Sequence, residues 1–495
     1  MSSAAILHTT GTLRHIEQQA AARLGDPFEL MRRAGHAAWQ TLLQHWPAAQ
    51  SLLVVCGPGN NGGDGYVLAT LAQGSGRHVR VLCLPDHEPR TPQARRAREQ
   101  FLAAGGEILA PGFRLPPAHL LVDAVFGIGL QRDPEGAVAQ VVAAINTHPA
   151  PVLALDVPTG VFADTGAVGT HVVSADVTLE FIAPKAGLRT GAARDFVGHL
   201  QSSDLGLARD ELLTATDGVA WLRAPDLHRW LQPRLRDSHK GRNGRLLCIG
   251  GDHGHGGAVM LAAEAALRTG AGLVDVTTRQ AFVAPLLARL PEAMVHGDDI
   301  DAIEVRGLGA QATAIMIGPG LGQSAWAVDL LAAAVAAGRP LVLDADGLNL
   351  VANGQGKVPP NAILTPHPGE AARLLHTDVA AVQADRFAAA RQLAACYQAI
   401  VVLKGAGTLI ADSEGTVALV DAGNPGMAVG GMGDVLAGVV GGLLAQGLAP
   451  LDAARVGALL HSVAGDSAAG DGGERGLLPS DLMPWLRRHA NPGAA

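Results

Sequence analysis

Aromatic residues and cysteines are both scarce in this sequence. Only 3% of its 495 residues are Phe, Trp or Tyr, whereas 48% are hydrophobic and 63 are glycine. Such a composition favours Ala-, Val- and Leu-rich helices packed on parallel strands and joined by glycine turns. The four cysteines (Cys56, Cys83, Cys248 and Cys396) include no Cys-x-x-Cys pair. This spacing argues against a zinc site or a disulfide framework and predicts reduced thiols in a cytoplasmic protein.

Long runs of one charge are missing as well. The net charge is −8 and there is no basic run, so we expect neither a nucleic-acid nor a membrane partner. The first ten residues lack the basic start and apolar segment of a secretory signal. The apolar run Val435–Leu451 is interrupted by glycines and Pro450, which favours a buried helix over a membrane span. We therefore expect a soluble protein.

The length of the chain predicts two domains, since a single core rarely grows this large. Residues 206–221 lose the strand pattern and collect turn formers, among them Thr214, Thr216 and Asp217. We place the boundary there and expect two α/β domains, residues 1–215 and 216–495.

Strand and helix patterns alternate through the first half, which implies a parallel sheet. The strand Ser51–Cys56 runs into a glycine-rich loop, residues 57–65, and a helix is expected from about Tyr66 to Ala72. Further elements are expected at His78–Leu84 (strand), Thr91–Ala104 (helix), His119–Val125 (strand) and Pro134–Ile145 (helix).

The loop at residues 57–65 formally matches the G-x-G-x-x-G fingerprint, although a single match is weak. Asn60, Asn61 and Asp64 bring side-chain oxygens to a place where a pyrophosphate prefers bare N–H groups, so the loop also suits potassium, sodium or magnesium. The alternative is a structural turn in which Asp64 caps the following helix.

Polar residues end two further strands of the first half. Asp123 ends one, and Asp156 and Thr159 follow the other. Because ligands of open α/β sheets bind at the carboxyl ends of the strands, these side chains and Asn61 are expected to meet. Each of them alone could be a loop or capping residue.

Three ordered motifs in the first half, at residues 60–65, 123–129 and 156–160, resemble those of NAD(P)H-hydrate epimerases. The resemblance covers residues 12–204 and implies a Rossmann-like three-layer α/β/α domain. It implies that Asn61, Asp123 and Thr159 bind potassium and that Asp156 is the acid/base. The implied contacts to the hydrated nucleotide are Asn60, Asn61, Gly62, Gly63, Asp64, Gly127, Ile128, Gly129, Leu130, Gln131, Arg132, Asp133 and Asp156.

The second half is organised around the stretch Gly423–Gly438, which has a glycine at six of its sixteen positions and leads into an apolar run. Exposed backbone N–H groups followed by a helix start form an anion site. Asp434 stands where the loop becomes the helix. It is either a carboxylate that only stabilises the helix or a base beside a bound phosphate.

Polar groups also gather at strand ends of the second half. Lys404 and Thr408 follow the strand Ile400–Leu403 and suit nucleotide phosphates, although an isolated strand-end lysine is usually a surface charge. The alternative for Asp344 and Asp346 is a turn and a helix cap, and for His367 it is a loop imidazole bonded to backbone. The other strands expected here are Arg245–Ile249, Gly272–Thr277, Ala314–Ile317, Leu341–Leu343 and Ala362–Leu364, and a helix is expected at Ala258–Arg268.

Six ordered motifs, at residues 239–241, 318–322, 344–349, 365–370, 404–408 and 423–438, resemble the ribokinase-like dehydratases that repair NAD(P)H hydrates. The resemblance implies a ribokinase-like α/β/α domain that uses ADP and magnesium, with Asp434 as the catalytic base. Val429 and Met432 stand where Thr or Ser is more usual. The implied hydrate contacts are Ala258, Gly320, His367 and Asp434, and the implied ADP contacts are Lys404, Gly405, Ala406, Gly407, Thr408 and Gly433.

Together the two resemblances imply a bifunctional repair of hydrated NADH and NADPH. The first domain would interconvert the R and S hydrates, and the second would dehydrate the S form at the expense of ADP, giving AMP and phosphate. We also expect a homo-oligomer. Two alternatives remain: a ribokinase-type kinase of small alcohols, and a binding module built on the first domain.

Overall fold

The computed structural model describes residues 5–84, 86–109, 115–213, 218–297 and 302–493. The chain forms two compact units, Ile6–Val219 and, together with Ala5, Ala220–Ala495. The predicted boundary between residues 215 and 216 lies outside the described residues and stays a prediction.

The first unit alternates strands with helices, as the sequence predicts. Its strands are β1 (Ala5–Leu7), β2 (Ser51–Cys56), β3 (His78–Cys83), β4 (Glu107–Leu109), β5 (Leu120–Ala124), β6 (Val152–Leu155), β7 (Val177–Phe181) and β8 (His199–Ser203). Its helices are α1 (Thr10–Leu24), α2 (Pro27–His45), α3 (Asn60–Gly74), α4 (Pro92–Ala103), α5 (Gly136–Thr147) and α6 (Arg209–Leu213).

The sheet of the first unit is parallel throughout, in the order β4-β3-β2-β5-β6-β7-β8. Apolar clusters cover both of its faces, one against α1–α4 and one against α5. These layers confirm the Rossmann-like prediction. The strand order reverses between β2 and β5, and the crevice at such a switch point is where open α/β sheets bind their ligands.

The helix expected from about Tyr66 begins six residues earlier, at Asn60, so that prediction was wrong about the glycine-rich loop. Gly59 is its N-cap residue, and Asp64 is therefore not a cap. The glycines serve close packing rather than a loop. A Cβ added to Gly62 would lie 2.0 Å from the carbonyl oxygen of Gly57, and one on Gly65 would lie 2.7 Å from the Ala124 Cβ.

The second unit repeats the strand and helix alternation. Its strands are β9 (Val219–Trp221), β10 (Arg245–Ile249), β11 (Leu273–Thr277), β12 (Met294–His296), β13 (Ala314–Ile317), β14 (Leu341–Leu343), β15 (Ile363–Leu364), β16 (Ile400–Leu403), β17 (Thr408–Ala411) and β18 (Val417–Val420). Its helices are α7 (Gly256–Thr269), α8 (Val283–Arg289), α9 (Ala302–Gln311), α10 (Ala325–Ala336), α11 (Ala345–Ala352), α12 (Pro368–Leu374), α13 (Val379–Ala384), α14 (Arg386–Tyr397), α15 (Met432–Ala445), α16 (Pro450–Gly472) and α17 (Leu482–His489).

The sheet of the second unit runs β9-β18-β17-β16-β15-β14-β13-β10-β11-β12. Its centre is parallel, but β16, β17 and β18 pair antiparallel. This antiparallel edge was not predicted. Helices α7, α15 and α16 pack with β10 and β13 in one core. The strand order reverses between β10 and β13, which places a second switch point at their carboxyl ends.

Among the described residues, no helix is both long and apolar enough to cross a membrane. The predicted buried helix in Val435–Leu451 is α15, whose residues from Val435 to Ala445 are all buried. The apolar residues of this helix therefore pack in the core of the second unit.

Candidate active sites

A buried pair of oxygen-bearing side chains stands at the carboxyl edge of the first sheet. Asp123 lies in β5 and Thr159 follows β6, and both are 0% exposed. The amide and hydroxyl of Thr159 donate to the Asp123 carboxylate, each at 2.7 Å. Burial raises the pKa of Asp123 to about 6, against the opposing effect of the hydrogen bonds from Thr159 and Val125. Such hard oxygen atoms suit a cation.

Asn61 is the second residue of α3 and is only 9% exposed. Neither the oxygen nor the nitrogen of its side chain has a hydrogen-bond partner. A buried amide left unsatisfied costs about 1–3 kcal/mol, which a bound cation or ligand would offset. Helix α3 follows β2, which pairs with β5. Asn61 therefore follows β2, and Asp123 lies near the carboxyl end of the neighbouring strand β5.

Asp156 is held firmly beside the same edge. Lys185, which is 1% exposed, places its Nζ 2.7 Å from Oδ1 of Asp156. The amides of Ile128 and Phe181 donate to the carboxylate at 3.1 and 3.3 Å. Asp156 also has a φ of 66°, a conformation that costs a non-glycine residue about 1–3 kcal/mol and is typical of functional sites.

A cavity of about 560 Å³ opens next to Asp156 and Lys185. Asp64 also lines it, and burial, followed by the charges of Asp156 and Glu17, raises its pKa well above the usual range. This environment thus opposes ionisation of the Asp64 carboxyl group. The other predicted residues that line the cavity are Asn60, Asn61, Gly127, Ile128 and Gly129.

The predicted contact segment Gly127–Asp133 divides into two parts. Gly127 approaches the carboxylate of Asp156 so closely that an added Cβ would lie 2.6 Å from Oδ2. The lining described for this cavity ends at Gly129 and does not reach Leu130–Asp133. The Asp133 carboxylate instead accepts a hydrogen bond from the Thr170 amide at 2.8 Å, which lowers its pKa. The role of Leu130–Asp133 as contacts stays a prediction.

Asp434 lies in the first turn of α15, as its third residue. The N-cap is Gly431, with a φ of 95°, and no side-chain cap bond is formed, so Asp434 is not the cap. Burial raises its pKa to about 7, helped by the nearby Asp344 carboxylate and opposed by Lys404. A carboxylate with a pKa near neutrality is well suited to act as a base.

Lys404 forms ion pairs with the carboxylates of Asp344 and Glu370. Its Nζ lies 2.9 Å from Oδ1 of Asp344 and 3.7 Å from Oε2 of Glu370, and its side chain is 18% exposed. Burial by itself would lower the pKa of Lys404, but these carboxylates raise it overall. The surface-lysine alternative is therefore wrong.

The side chains of Asp344 and Asp346 form hydrogen bonds with loops that follow neighbouring strands. Asp344 is the N-cap residue of α11 but makes no side-chain cap bond. It accepts a hydrogen bond from the Thr365 hydroxyl at 2.7 Å in addition to its pairing with Lys404. Asp346 accepts from the Gly322 amide at 2.8 Å. The turn-and-cap alternative thus does not describe their side chains.

His367 is the N-cap residue of α12, and its Nδ1 accepts hydrogen bonds from the amides of Gly369 and Glu370 at 3.0 and 3.4 Å. This is the backbone-bonded imidazole of the alternative interpretation. Burial, then the charges of Lys404 and Arg373, lower the pKa of His367. In the neutral ring with Nδ1 as acceptor, the proton is on Nε2, which lies 3.3 Å from Oε1 of Glu370.

The residues predicted to hold the two substrates lie next to one another in pairs. Gly433 is so close to Lys404 that an added Cβ would lie 3.1 Å from Nζ. At the switch point, a Cβ on Gly320 (φ 58°) would lie 3.2 Å from the Ala258 Cβ. Lys404 follows β16 and Gly320 follows β13, whereas Gly433 and Ala258 lie in the first turns of α15 and α7. Their roles as substrate contacts stay predictions.

The two halves of the chain match two protein families. Residues 246–488 match the family described as NAD(P)H-hydrate dehydratase, and residues 27–187 match the YjeF-related protein N-terminus. A bifunctional NAD(P)H-hydrate repair enzyme of Escherichia coli is 46% identical over 97% of this chain and 93% of its own length. The chain belongs to the bifunctional NAD(P)H-hydrate repair enzymes.

Other relatives agree with this family. A bifunctional NAD(P)H-hydrate repair enzyme of Coxiella burnetii is 44% identical over 98% of this chain and 100% of its own length. A solved ribokinase-like superfamily protein of Enterococcus faecalis is 32% identical, covers 55% of this chain and 96% of its own, and has a TM-score of 0.50. The predicted family and the ribokinase-like fold are thereby confirmed.

Some site residues escaped the sequence analysis, or stand apart from the sites. Lys185 was not predicted as a site residue, and its pairing with Asp156 follows from tertiary packing. The His239–Gly241 motif lies just before β10, which begins at Arg245. The His239 carbonyl there accepts a hydrogen bond from the Asn243 amide. The motif is thus at the opposite edge of the sheet from Asp434. Met432 is buried in the core, while Val429 is 41% exposed and nothing in the structure explains its departure from the family pattern.

Proposed function

We propose that this chain repairs hydrated NADH and NADPH through two successive reactions. The first unit interconverts the R and S hydrates. The second unit dehydrates the S form with ADP and gives NAD(P)H, AMP and phosphate. The observation that carries the proposal is Asp434, a carboxylate with a pKa near 7 in the first turn of α15, beside Lys404.

The dehydration needs a better leaving group than hydroxide at C6 of the nicotinamide ring. Asp434 takes the proton of the C6 hydroxyl while the oxygen attacks the β-phosphorus of ADP and AMP leaves. The C6–O bond of the phosphate ester then breaks, and loss of a proton from C5 forms the C5–C6 double bond. The products are the reduced coenzyme and phosphate.

The start of α15 and Lys404 stabilise the negative charge of the phosphoryl group during its transfer. Backbone N–H groups of Gly430–Gly433, at the start of α15, would donate to the phosphoryl oxygens, and the helix dipole favours an anion there. Lys404 stands beside Gly433 as a fixed cation. Magnesium would be carried by the ADP phosphates, whose oxygen atoms are the ligands it prefers. Magnesium bound in that way neutralises phosphate charge.

The epimerisation is assigned to Asp156. Lys185 and two backbone amides hold its carboxylate at the cavity. There it can take the proton of the C6 hydroxyl as the C6–N1 bond breaks to leave a C6 carbonyl, and return the proton when N1 adds to the opposite face of C6. The unsatisfied amide of Asn61, with Asp123 and Thr159, fits potassium. Bound potassium supplies positive charge for the nucleotide phosphates.

The proposal is tested by time-resolved chromatography of mixed R and S hydrates with ADP or with ATP. We expect both epimers to be consumed, with one mole of AMP and one of phosphate formed per mole of NAD(P)H when ADP is supplied. Replacing potassium by lithium should slow the exchange of epimers but not the dehydration of the S form. Consumption of the S form alone would refute the epimerase assignment.

The competing kinase hypothesis makes a different prediction for the same chain. Incubation with ATP and hydroxymethylpyrimidine, pyridoxine or thiazole alcohols would then yield a stable phosphorylated product. We expect none above background. We also propose a cytoplasmic homo-oligomer, which light scattering of the purified chain and fractionation of cells would test.

A further inference from the structure

Arg386 is the first residue of α14 and one of the largest side chains in the fully buried set, with 1% exposure. Removing an ionised group from water carries a penalty of several kcal/mol unless its donors are satisfied. The contacts of its guanidinium group therefore indicate why an arginine stands here.

The guanidinium lies beneath the loop that follows β16. Nη2 of Arg386 donates to the carbonyl oxygens of Leu403, Lys404 and Gly407 at 3.4, 3.2 and 3.4 Å. Nη1 donates to Oε1 of Gln383 at 2.8 Å. One side chain thus binds three carbonyl groups, two of them in the segment 404–408, in which the ADP contacts are predicted.

Turning these carbonyls toward Arg386 also orients the amides of the loop. In a trans peptide the C=O and the next N–H point in opposite directions. The Lys404 carbonyl points at the guanidinium, so the Gly405 N–H points away from it, toward the outer side of the loop. The loop can bend this way because Gly405 and Gly407 have φ values of 133° and 66°, which glycine tolerates.

We propose that Arg386 is a positioning residue of the nucleotide site, which shapes the loop 404–408 from below so that its amides face the phosphates of ADP. This inference rests on the proposed function of the second unit. Arg386 does not touch the nucleotide in this arrangement. It acts through the loop, and it supports Lys404 by binding the carbonyl of that residue.

The charge of Arg386 adds to its geometric role. Burial lowers its pKa to about 10, so the side chain remains a cation at neutral pH. A cation under the loop is favourable for an anion bound above it. Lysine would keep the charge, but its single ammonium cannot reproduce the planar fork of a guanidinium.

The test uses the full chain with Arg386→Met and Arg386→Lys, and with Arg391→Met as the matched control. Arg391 lies on the same helix and is exposed, and its Nε donates a hydrogen bond to the Gly415 carbonyl at 3.3 Å. We measure KM separately for ADP and for the S hydrate. In Arg386→Met we expect KM for ADP to rise about tenfold or more and KM for the hydrate to stay within about twofold. Arg386→Lys should fall between this variant and wild type, and Arg391→Met should match wild type.

A second variant covers the case in which Arg386→Met does not fold. Gly405→Ala leaves the arginine in place but puts a Cβ 3.0 Å from its Nη1, at a φ that alanine rarely adopts. It should also raise KM for ADP selectively. An unchanged KM for ADP in Arg386→Met, or in Gly405→Ala if the former does not fold, would overturn the inference. Equal rises in both KM values would do so as well. A wild-type chain that does not dehydrate the hydrate with ADP would instead overturn the proposed function.

Discussion

At the scale of single residues, the most informative group is Asp434. Its burial beside Asp344 and Lys404 sets the pKa of its carboxyl group. We predict that Asp434→Asn lowers the rate of ADP-dependent dehydration by roughly 10²–10⁴-fold, the usual contribution of a general base. In the wild type the rate should rise with pH through about 7, since the base must be ionised. Steady-state kinetics from pH 5.5 to 8.5 check both points, and near wild-type turnover in the variant would refute the assignment.

The same raised pKa has a consequence for stability. The pKa of Asp434 is about 7 in the folded chain and near 4 in an unfolded one, so its contribution is favourable at low pH and is lost as pH rises toward 7. Asp434→Asn should therefore raise the midpoint of thermal unfolding at pH 8 but not at pH 4. Calorimetry at the two pH values measures this. A lower midpoint at pH 8 would mean that the charge is stabilising.

Asp156 separates the two reactions at the residue scale. Asp156→Asn removes the ionisable group but keeps the size of the side chain, and it should abolish exchange of the R and S hydrates. Dehydration of the purified S form should be unaffected, because Asp434 belongs to the other unit. Chromatography of each epimer over time provides the measurement, with Asp176→Asn, at the amino end of β7, as a control in the same unit. Unaltered exchange would exclude the role.

At the scale of elements, the start of α15 is limited by space. Gly433→Ala adds a Cβ 3.1 Å from Nζ of Lys404 and 3.9 Å from Oδ2 of Asp344. We predict that it raises KM for ADP several-fold although alanine is the better helix former by about 0.5–1 kcal/mol. The control is Gly470→Ala in α16, where a Cβ would meet nothing within 4 Å. An unchanged KM for ADP in Gly433→Ala would show that Lys404 need not stay in place.

Elements also show where local pattern reading succeeds. The strands Ser51–Cys56, Ala314–Ile317 and Ile400–Leu403 have the predicted bounds, because parallel strands buried on both faces are continuous apolar runs. The start of α3 at Asn60 was missed because a glycine-rich stretch normally indicates a loop. In α3 a glycine such as Gly65 instead allows close packing against β2 and β5. The antiparallel pair β17 and β18 was also missed, and β17 begins at Thr408, which the sequence analysis placed in a phosphate-binding segment.

At the scale of the whole molecule, each unit has its own apolar clusters and its own site. We predict that a chain divided between residues 215 and 216 gives two pieces that each keep one reaction. The first should exchange epimers without ADP, and the second should consume only the S form until the first is added. Separate expression and the chromatographic assay test this. An insoluble or inactive piece would show that the unit depends on the rest of the chain.

The sequence by itself determined the family, several of the buried parallel strands and the polar residues near their carboxyl ends, since apolar runs, glycine turns and polar strand ends are local signals. Only the tertiary structure decided which of those groups interact. Lys185 meets Asp156, Lys404 meets Asp344 and Arg386 lies under its loop because parallel strands bring distant segments to one edge. Burial among such partners, rather than residue type, sets the pKa of Asp434 near 7.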